Sequence, residues 1–192
     1  MLTNNQMRPL ASTDYKRGHL SVLSTLTSAP DPGEAAWVAQ FESLRASPRS
    51  YYTLVIVDKT SDMIVGVGTV FMERKFQRGL SCVGHIEDIV VDEKQQGKKL
   101  GLRIIQALVC ISENSGAYKT ILNCADKNIR ESCVYVLIPR VYWMRSAFYQ
   151  KCGFERKECE MVCSSPYSSH PAAKPLNTQA KYTPVISHEP RL

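Results

Sequence analysis

The stretch VVDEKQQGKKLGLRII, from Val90 to Ile105, constrains this chain more than any other. The β-branched run Ile89, Val90 and Val91 reads as the end of a strand. A polar loop with Gly97 and Gly101 follows. Leu100, Ile104, Leu108 and Ile111 then recur at helical spacing, and Ile105 and Val109 widen the stripe. The spacing predicts an amphipathic helix over Leu100–Asn114. A strand that hands directly to such a helix requires a sheet for the helix to lie across. The junction also leaves backbone N–H groups at the helix start, where the dipole supplies about half a positive charge. Glycine lets a ligand approach the backbone, and Lys98 and Lys99 add screened positive charge. The loop fits neither GxxxxGK[ST] nor GxGxxG. On composition alone it is either a plain turn with solvated lysines or an anion cradle.

The rest of the chain supplies the sheet. Asn5–Pro9 is a short extended candidate. Asp14 is placed to cap a helix with Leu20, Leu23 and Leu26 on its apolar side, stopped by Pro30 and Pro32. Glu34–Ala46 reads as a second helix carrying Trp37, Phe41 and Leu44. Tyr51–Asp58 is a continuous apolar strand, as a buried central strand should be. Ser61 and Asp62 make a turn. Ile64–Arg74 then alternates, with Val65, Val67, Thr69 and Phe71 on one face. Gly66 and Gly68 fall on the other face, where something approaches closely. Cys82–Asp92 and Tyr118–Cys124 are further strands. Ala147–Cys152 is a short helix ended by Gly153, and Phe154–Val162 a last strand. The order β, α, α, β, β, β, α, β, α, β gives a mixed α/β sheet with helices on both sides.

A length of 192 residues suits one core. No apolar run approaches the roughly 20 residues that cross a bilayer, and the N-terminus has no signal-peptide core. The seven cysteines form no CxxC pair, so Cys82, Cys110, Cys124, Cys133, Cys152, Cys159 and Cys163 read as reduced thiols in a cytoplasmic protein. A net charge of +6, dispersed along the chain, suits an anionic ligand better than a nucleic acid. From Ser164 the chain turns rich in Ser, Pro, His and Lys without an apolar period. The expected division is therefore a domain over 1–163 and a disordered tail over 164–192.

Four segments occur in a telling order: GHIEDIVV (Gly84–Val91), QQGKKLG (Gln95–Gly101), YKTILNC (Tyr118–Cys124) and AFYQKCGF (Ala147–Phe154). Together they resemble the GCN5-related N-acetyltransferase superfamily. Its hallmark [Q/R]xxGx[G/A] is met by Gln96 and Gly101, with Lys99 where the first glycine is expected. With Arg8–Gly18, Leu26–Thr27 and Glu73–Phe76 added, the chain resembles the eukaryotic glucosamine-6-phosphate N-acetyltransferase family over most of Arg8–Val162. The resemblance implies a mixed, mostly antiparallel sheet whose splayed central strands bind acetyl-CoA. It also implies acetyl transfer to the amine of D-glucosamine 6-phosphate on the route to UDP-N-acetylglucosamine, a homodimer, and no metal.

The resemblance also implies roles for particular residues. Gln96, Gly97, Lys98, Lys99, Leu100, Gly101 and Leu102 cradle the pyrophosphate of acetyl-CoA. Ile89, Val90 and Val91 offer main-chain hydrogen bonds to the pantetheine arm, opposite Asn123, Cys124 and Ala125, with Asn128 nearby. Glu87 and Asp88 contact the amino sugar and help its ammonium shed a proton. Adjacent strand residues ordinarily point to opposite faces, and a bulge expected here changes that. Tyr149 donates to the departing thiolate. Thr27, Lys75, Phe76, Gln77, Arg78, Tyr118 and Lys119 match the remaining sugar-phosphate positions, since a dianionic phosphate wants cations and N–H donors. His85 reads as structural, and Cys124 and Cys152 as packing residues.

Residues 129–146 break the resemblance. They are apolar and aromatic where the family runs almost directly from Asn128 into the helix of Phe148, and a loop of that length is unusual in a compact domain. The segment is an embellishment around Pro139 or translated intron sequence. Activity on another amine, such as a protein lysine or a polyamine, is an alternative, as is a CoA-binding homologue impaired by the segment.

Overall fold

A computed structural model describes residues 4–122, 149 and 152–154. All of them lie in the first of two units into which the chain divides, Met1–Lys157 and Glu158–Leu192. The expected domain boundary at 163, the 129–146 segment and the 164–192 tail lie outside the described residues.

Five strands, β1 (Asn5–Pro9), β2 (Tyr51–Asp58), β3 (Met63–Arg74), β4 (Cys82–Val91) and β5 (Ala117–Leu122), form one sheet in the order β1-β2-β3-β4-β5. The first three pairings are antiparallel and β4–β5 is parallel. The helices are α1 (His19–Leu23), α2 (Glu34–Arg45), α3 (Gln77–Leu80) and α4 (Leu100–Asn114). α3 is a single turn broken by positive φ at Arg78 and Gly79. The mixed, mostly antiparallel sheet matches the expectation from sequence, and so do the bounds of α4.

α4 covers one face. Its stripe of Leu100, Ile104 and Leu108 is fully buried against Ile56, Val70 and Ile86. Gly66 and Gly68 are there to admit this helix. A Cβ on Gly68 would lie 2.6 Å from Ile89 and closer still to Ile104. A Cβ on Gly84 would run into Ser112, which is itself buried and accepts a 2.7 Å hydrogen bond from Thr120.

The other face is covered by the shorter α1, whose Val22 packs on Val55, Val67 and Val90. Val65 does not join them as its alternation predicts. A register shift between Ile56 and Val57 puts an extra residue in β3, and Val65 packs with the α4-side cluster.

The expected first helix is also different. Asp14 opens a 3-10 turn, Asp14–Arg17, and Gly18 at φ 78° separates that turn from α1. Asp14 caps nothing. Its fully buried carboxylate accepts two 2.7 Å bonds from the Arg8 guanidinium and one of 2.8 Å from the Ala11 N–H. Leu26 lies beyond α1 and is half exposed. α2 is tied in by Trp37, whose Nε1–H donates to His19 Nδ1 at 3.2 Å and whose ring stacks on Phe41.

Candidate active site

The strand-to-helix junction is open toward solvent. Asp92 accepts from the Lys94 N–H and starts a 3-10 turn over Glu93–Gln95. Gly97 has φ 78° and nothing within 4 Å of where a Cβ would sit. Lys99 occupies the N-cap of α4 at φ 60°, ψ 20° with no side-chain cap. A left-handed residue there is what glycine provides most readily, which explains the glycine in the motif that Lys99 departs from. Leu100 itself is core, 1% exposed, so only its main chain belongs to the junction. The first N–H groups of α4, from Leu100, Gly101 and Leu102, have no intrahelical acceptor. Lys98 Nζ donates to Gln95 Oε1 at 2.6 Å, and Gln96 Nε2 reaches the Val91 carbonyl at 3.4 Å. An uncapped helix start behind a loop with two left-handed residues fits an anion such as a pyrophosphate.

β4 carries the expected bulge. Val67 pairs with Val90 and Thr69 with Glu87, so Gly68 faces both Asp88 and Ile89. Asp88 takes φ 57°. The extra residue flips the side-chain order: Ile89 packs on the α4 side and Val90 on the α1 side. Glu87 and Asp88 are both exposed. The described β4–β5 pairing ends at Ile86 and Leu122. Asn123, Cys124, Ala125 and Asn128 lie outside the described residues.

On the α1 face the sheet runs out from under the helix into a lane of side chains. Thr53, Thr69 and Glu87 form one row, and Tyr51, Phe71 and His85 the next. Thr53 and Thr69 share a 3.0 Å hydrogen bond. Tyr51 stacks on Phe71 at 4.9 Å, and Phe71 lies 5.8 Å from the His85 ring. His85 Nε2 meets Glu73 Oε2 at 3.0 Å, and Lys75 Nζ binds the other Glu73 oxygen. Lys75, then His85, hold the Glu73 carboxyl below its usual range. From sequence alone His85 reads as structural and Glu73 carries no assigned role. The signal was present in their alternation with Phe71 and Glu87, but only the β3–β4 register joins the two strands.

The other expected sugar-phosphate residues are dispersed. Arg78 stacks over the Tyr118 ring at 5.3 Å, and Phe76 is 96% exposed. Tyr118 is adjacent to Ala117, the partner of Cys82, and Lys119 pairs with Val83. At about 3.3 Å per residue, the Cys82 end of β4 is about 20 Å from Asp88. Gln77 belongs to the same α3 turn. Thr27 is exposed just beyond α1, its N–H bonded to the Leu23 carbonyl.

Tyr149 is helical and half-buried. Its carbonyl accepts from the Cys152 and Phe154 N–H groups at 3.0 and 3.1 Å, and Gly153 turns at φ 91°. Gly153 takes the left-handed conformation expected of a helix-ending glycine. Phe154 packs against the α4-side core. Burial pushes the Cys152 thiol up, which disfavours the thiolate and fits a packing role. Among the described residues no three His, Cys, Asp or Glu side chains converge as a metal site, and no helix is long and apolar enough to cross a membrane.

An uncapped helix start, a bulged strand before it and a parallel neighbour to that strand form a recognisable set. The family model for the GNAT acetyltransferases matches residues 19–154. The chain belongs to the acetyltransferase (GNAT) family. Its sequence is 37% identical over 159 residues to glucosamine 6-phosphate N-acetyltransferase 1 of Dictyostelium discoideum, covering 83% of this chain and 90% of that one. The crystal structure of glucosamine-6-phosphate N-acetyltransferase from Arabidopsis thaliana superposes with a TM-score of 0.73 at 30% identity, covering 83% of this chain and 97% of that one. A solved structure holding a CoA-based bisubstrate analogue shares the fold at 15% identity and TM-score 0.58, over 84% of this chain and 97% of that one. This GNAT chain is an acyltransferase, and its family uses acetyl-CoA.

Proposed function

We propose that this acetyltransferase moves an acetyl group from acetyl-CoA to the amine of D-glucosamine 6-phosphate. The observation that carries the reading is the lane on the α1 face. It has acid at one end, the exposed Glu87 with Asp88 of the bulge next to it in the chain, and at the other Lys75 in an ion pair with Glu73. A short molecule with an ammonium at one end and a phosphate at the other matches that polarity. The named relatives support the same substrate.

In this reading the first N–H groups of α4 and the Gln96–Lys99 loop hold the pyrophosphate. The main chain of Ile89–Val91 holds the pantetheine arm and donates toward the thioester oxygen. Bound acetyl-CoA supplies the activated acyl group. Glu87 and Asp88 orient the ammonium, and the amine, once neutral, attacks the thioester directly, so no side-chain nucleophile is used. Tyr149 donates to the departing thiolate. Phe76, Gln77, Arg78, Tyr118 and Lys119, toward the Cys82 end of β4, serve the site of a second copy, and the active species is a homodimer.

The test is release of CoA thiol from acetyl-CoA with glucosamine 6-phosphate, glucosamine, a polyamine and a histone peptide as acceptors. Turnover is expected with glucosamine 6-phosphate well above the others. Turnover on the peptide and not on the sugar would remove the substrate assignment. Acetyl-CoA binding without turnover on any amine would remove the enzymatic reading.

A further inference from the structure

A carboxylate beside an ammonium favours the charged form, so Glu87 can bind the acceptor amine but works against its deprotonation. Attack on a thioester needs the neutral amine, so the proton needs an acceptor, and a group that does not itself pair with the ammonium is better placed to take it than Glu87, although the family resemblance gives that help to Glu87 and Asp88. Three observations converge on one candidate. His85 lies two residues before Glu87 on the same face of β4, about 7 Å away along the strand. Its ring is fixed by Phe71 and by the 3.0 Å contact of Nε2 with Glu73. Its side chain is 25% exposed, sheltered yet within reach of solvent.

The partner decides the tautomer. Glu73 is kept ionised by Lys75 and then His85, so it can only accept. His85 Nε2 therefore carries the proton, and in the neutral ring Nδ1 keeps its lone pair. This is a base oriented by a carboxylate, which is in turn oriented by a lysine.

Resting on the reading above, we propose that His85 is the general base for the acceptor amine, acting through one bridging water, with Glu73 and Lys75 as its positioning residues. The ammonium gives a proton to the water, the water gives one to His85 Nδ1, and the resulting imidazolium is stabilised by Glu73. The freed nitrogen lone pair attacks the acetyl carbonyl and the C–S bond breaks. The attacking nitrogen gives up its second proton to solvent as the tetrahedral intermediate collapses, Tyr149 protonates the thiolate and is reprotonated by solvent, and His85 returns its proton to solvent. The charged groups facing the ring are Glu73 of β3, Lys75 just beyond its end and Glu87 of β4, with Lys119 of β5 in register with Val83.

The experiment measures kcat/KM for the acceptor from pH 5.5 to 9 in the full chain, for wild type, His85→Gln, His85→Ala and Glu73→Gln. His85→Gln is expected to lose on the order of 100-fold or more at neutral pH. The deficit should shrink as rising pH deprotonates the amine unaided, and the KM for acetyl-CoA should stay within a few-fold. Added imidazole should restore part of the activity of His85→Ala. Glu73→Gln should lose less than His85→Gln at neutral pH, and its deficit should likewise shrink as pH rises. A His85→Gln profile that parallels wild type at all pH values, or no imidazole rescue of a folded His85→Ala, overturns the proposal. If wild type prefers another amine, the substrate reading fails and the same profiles on that amine still decide the role of His85. If no amine is acetylated, both readings fall.

Discussion

The two faces of this sheet are built on different principles. The α4 face is held by shape: a 15-residue helix lies so close that Gly68 and Gly84 have no room for a methyl group. The α1 face is held by polar ties. Its five-residue helix is anchored through Arg8, the buried Asp14 and the Trp37–His19 hydrogen bond. The short helix covers the cluster of Val55, Val57, Ile64, Val67 and Val90, leaving the rows of Glu87 and His85 beyond it. One face is therefore committed to stability, and the other keeps a lane of charged groups exposed at the cost of a weaker cover.

The largest expected effect tests the polar ties. Arg8→Ala leaves the Asp14 carboxylate buried without its main partner and should lower stability by about 3–5 kcal/mol, measured as a urea midpoint. A change below about 1 kcal/mol would mean that the tie is dispensable. On the opposite face, Gly68→Ala should cost about 1–3 kcal/mol by overpacking. If it were neutral, the α4 face would be looser than the distances indicate.

Acid separates the faces next. Burial pulls the His19 pKa below its ordinary 6.5, and Asp14 opposes the shift. Its Nε2 is buried without a partner. The unfolded chain therefore binds the proton first, so this contribution is complete above pH 6.5 and falls as pH drops below it, by at most about 1.4 kcal/mol per pH unit. Burial pushes Asp14 up, but Arg8 and the Ala11 N–H outweigh it and hold the carboxyl below its usual range. That contribution is present above the ordinary carboxylate range and is lost as pH falls through the depressed value. His19→Gln should flatten the loss between pH 6.5 and 5 and leave the lower step in place. An unchanged slope would exclude His19.

The smallest effect concerns the junction. Lys99→Gly relieves a left-handed lysine and should raise stability by up to about 1 kcal/mol. Acetyl-CoA binding should be maintained, as calorimetry would show. A loss of binding of tenfold or more would assign the Lys99 side chain, and not its backbone, to the cradle.

Much of this was legible in the sequence because the strand–loop–helix junction and the stripe of α4 are local patterns. The bulge at Asp88 followed from family resemblance, since GHIEDIVV by itself alternates ambiguously. Asp14 misled because an acidic residue before an apolar period looks like a cap, whereas its partner, Arg8, sits on a strand. Val65 changed side because one extra residue in β3 reverses the alternation. The Glu73–His85 contact needs the register of two strands, which no single segment encodes.

The central claim is that the α1 face carries the acceptor chemistry. Glu87→Gln tests it most directly, through kcat/KM for glucosamine 6-phosphate measured alongside the melting temperature and the KM for acetyl-CoA. The expected result is a loss on the order of 100-fold in kcat/KM with the other two nearly unchanged. A variant that keeps wild-type kcat/KM would contradict the account.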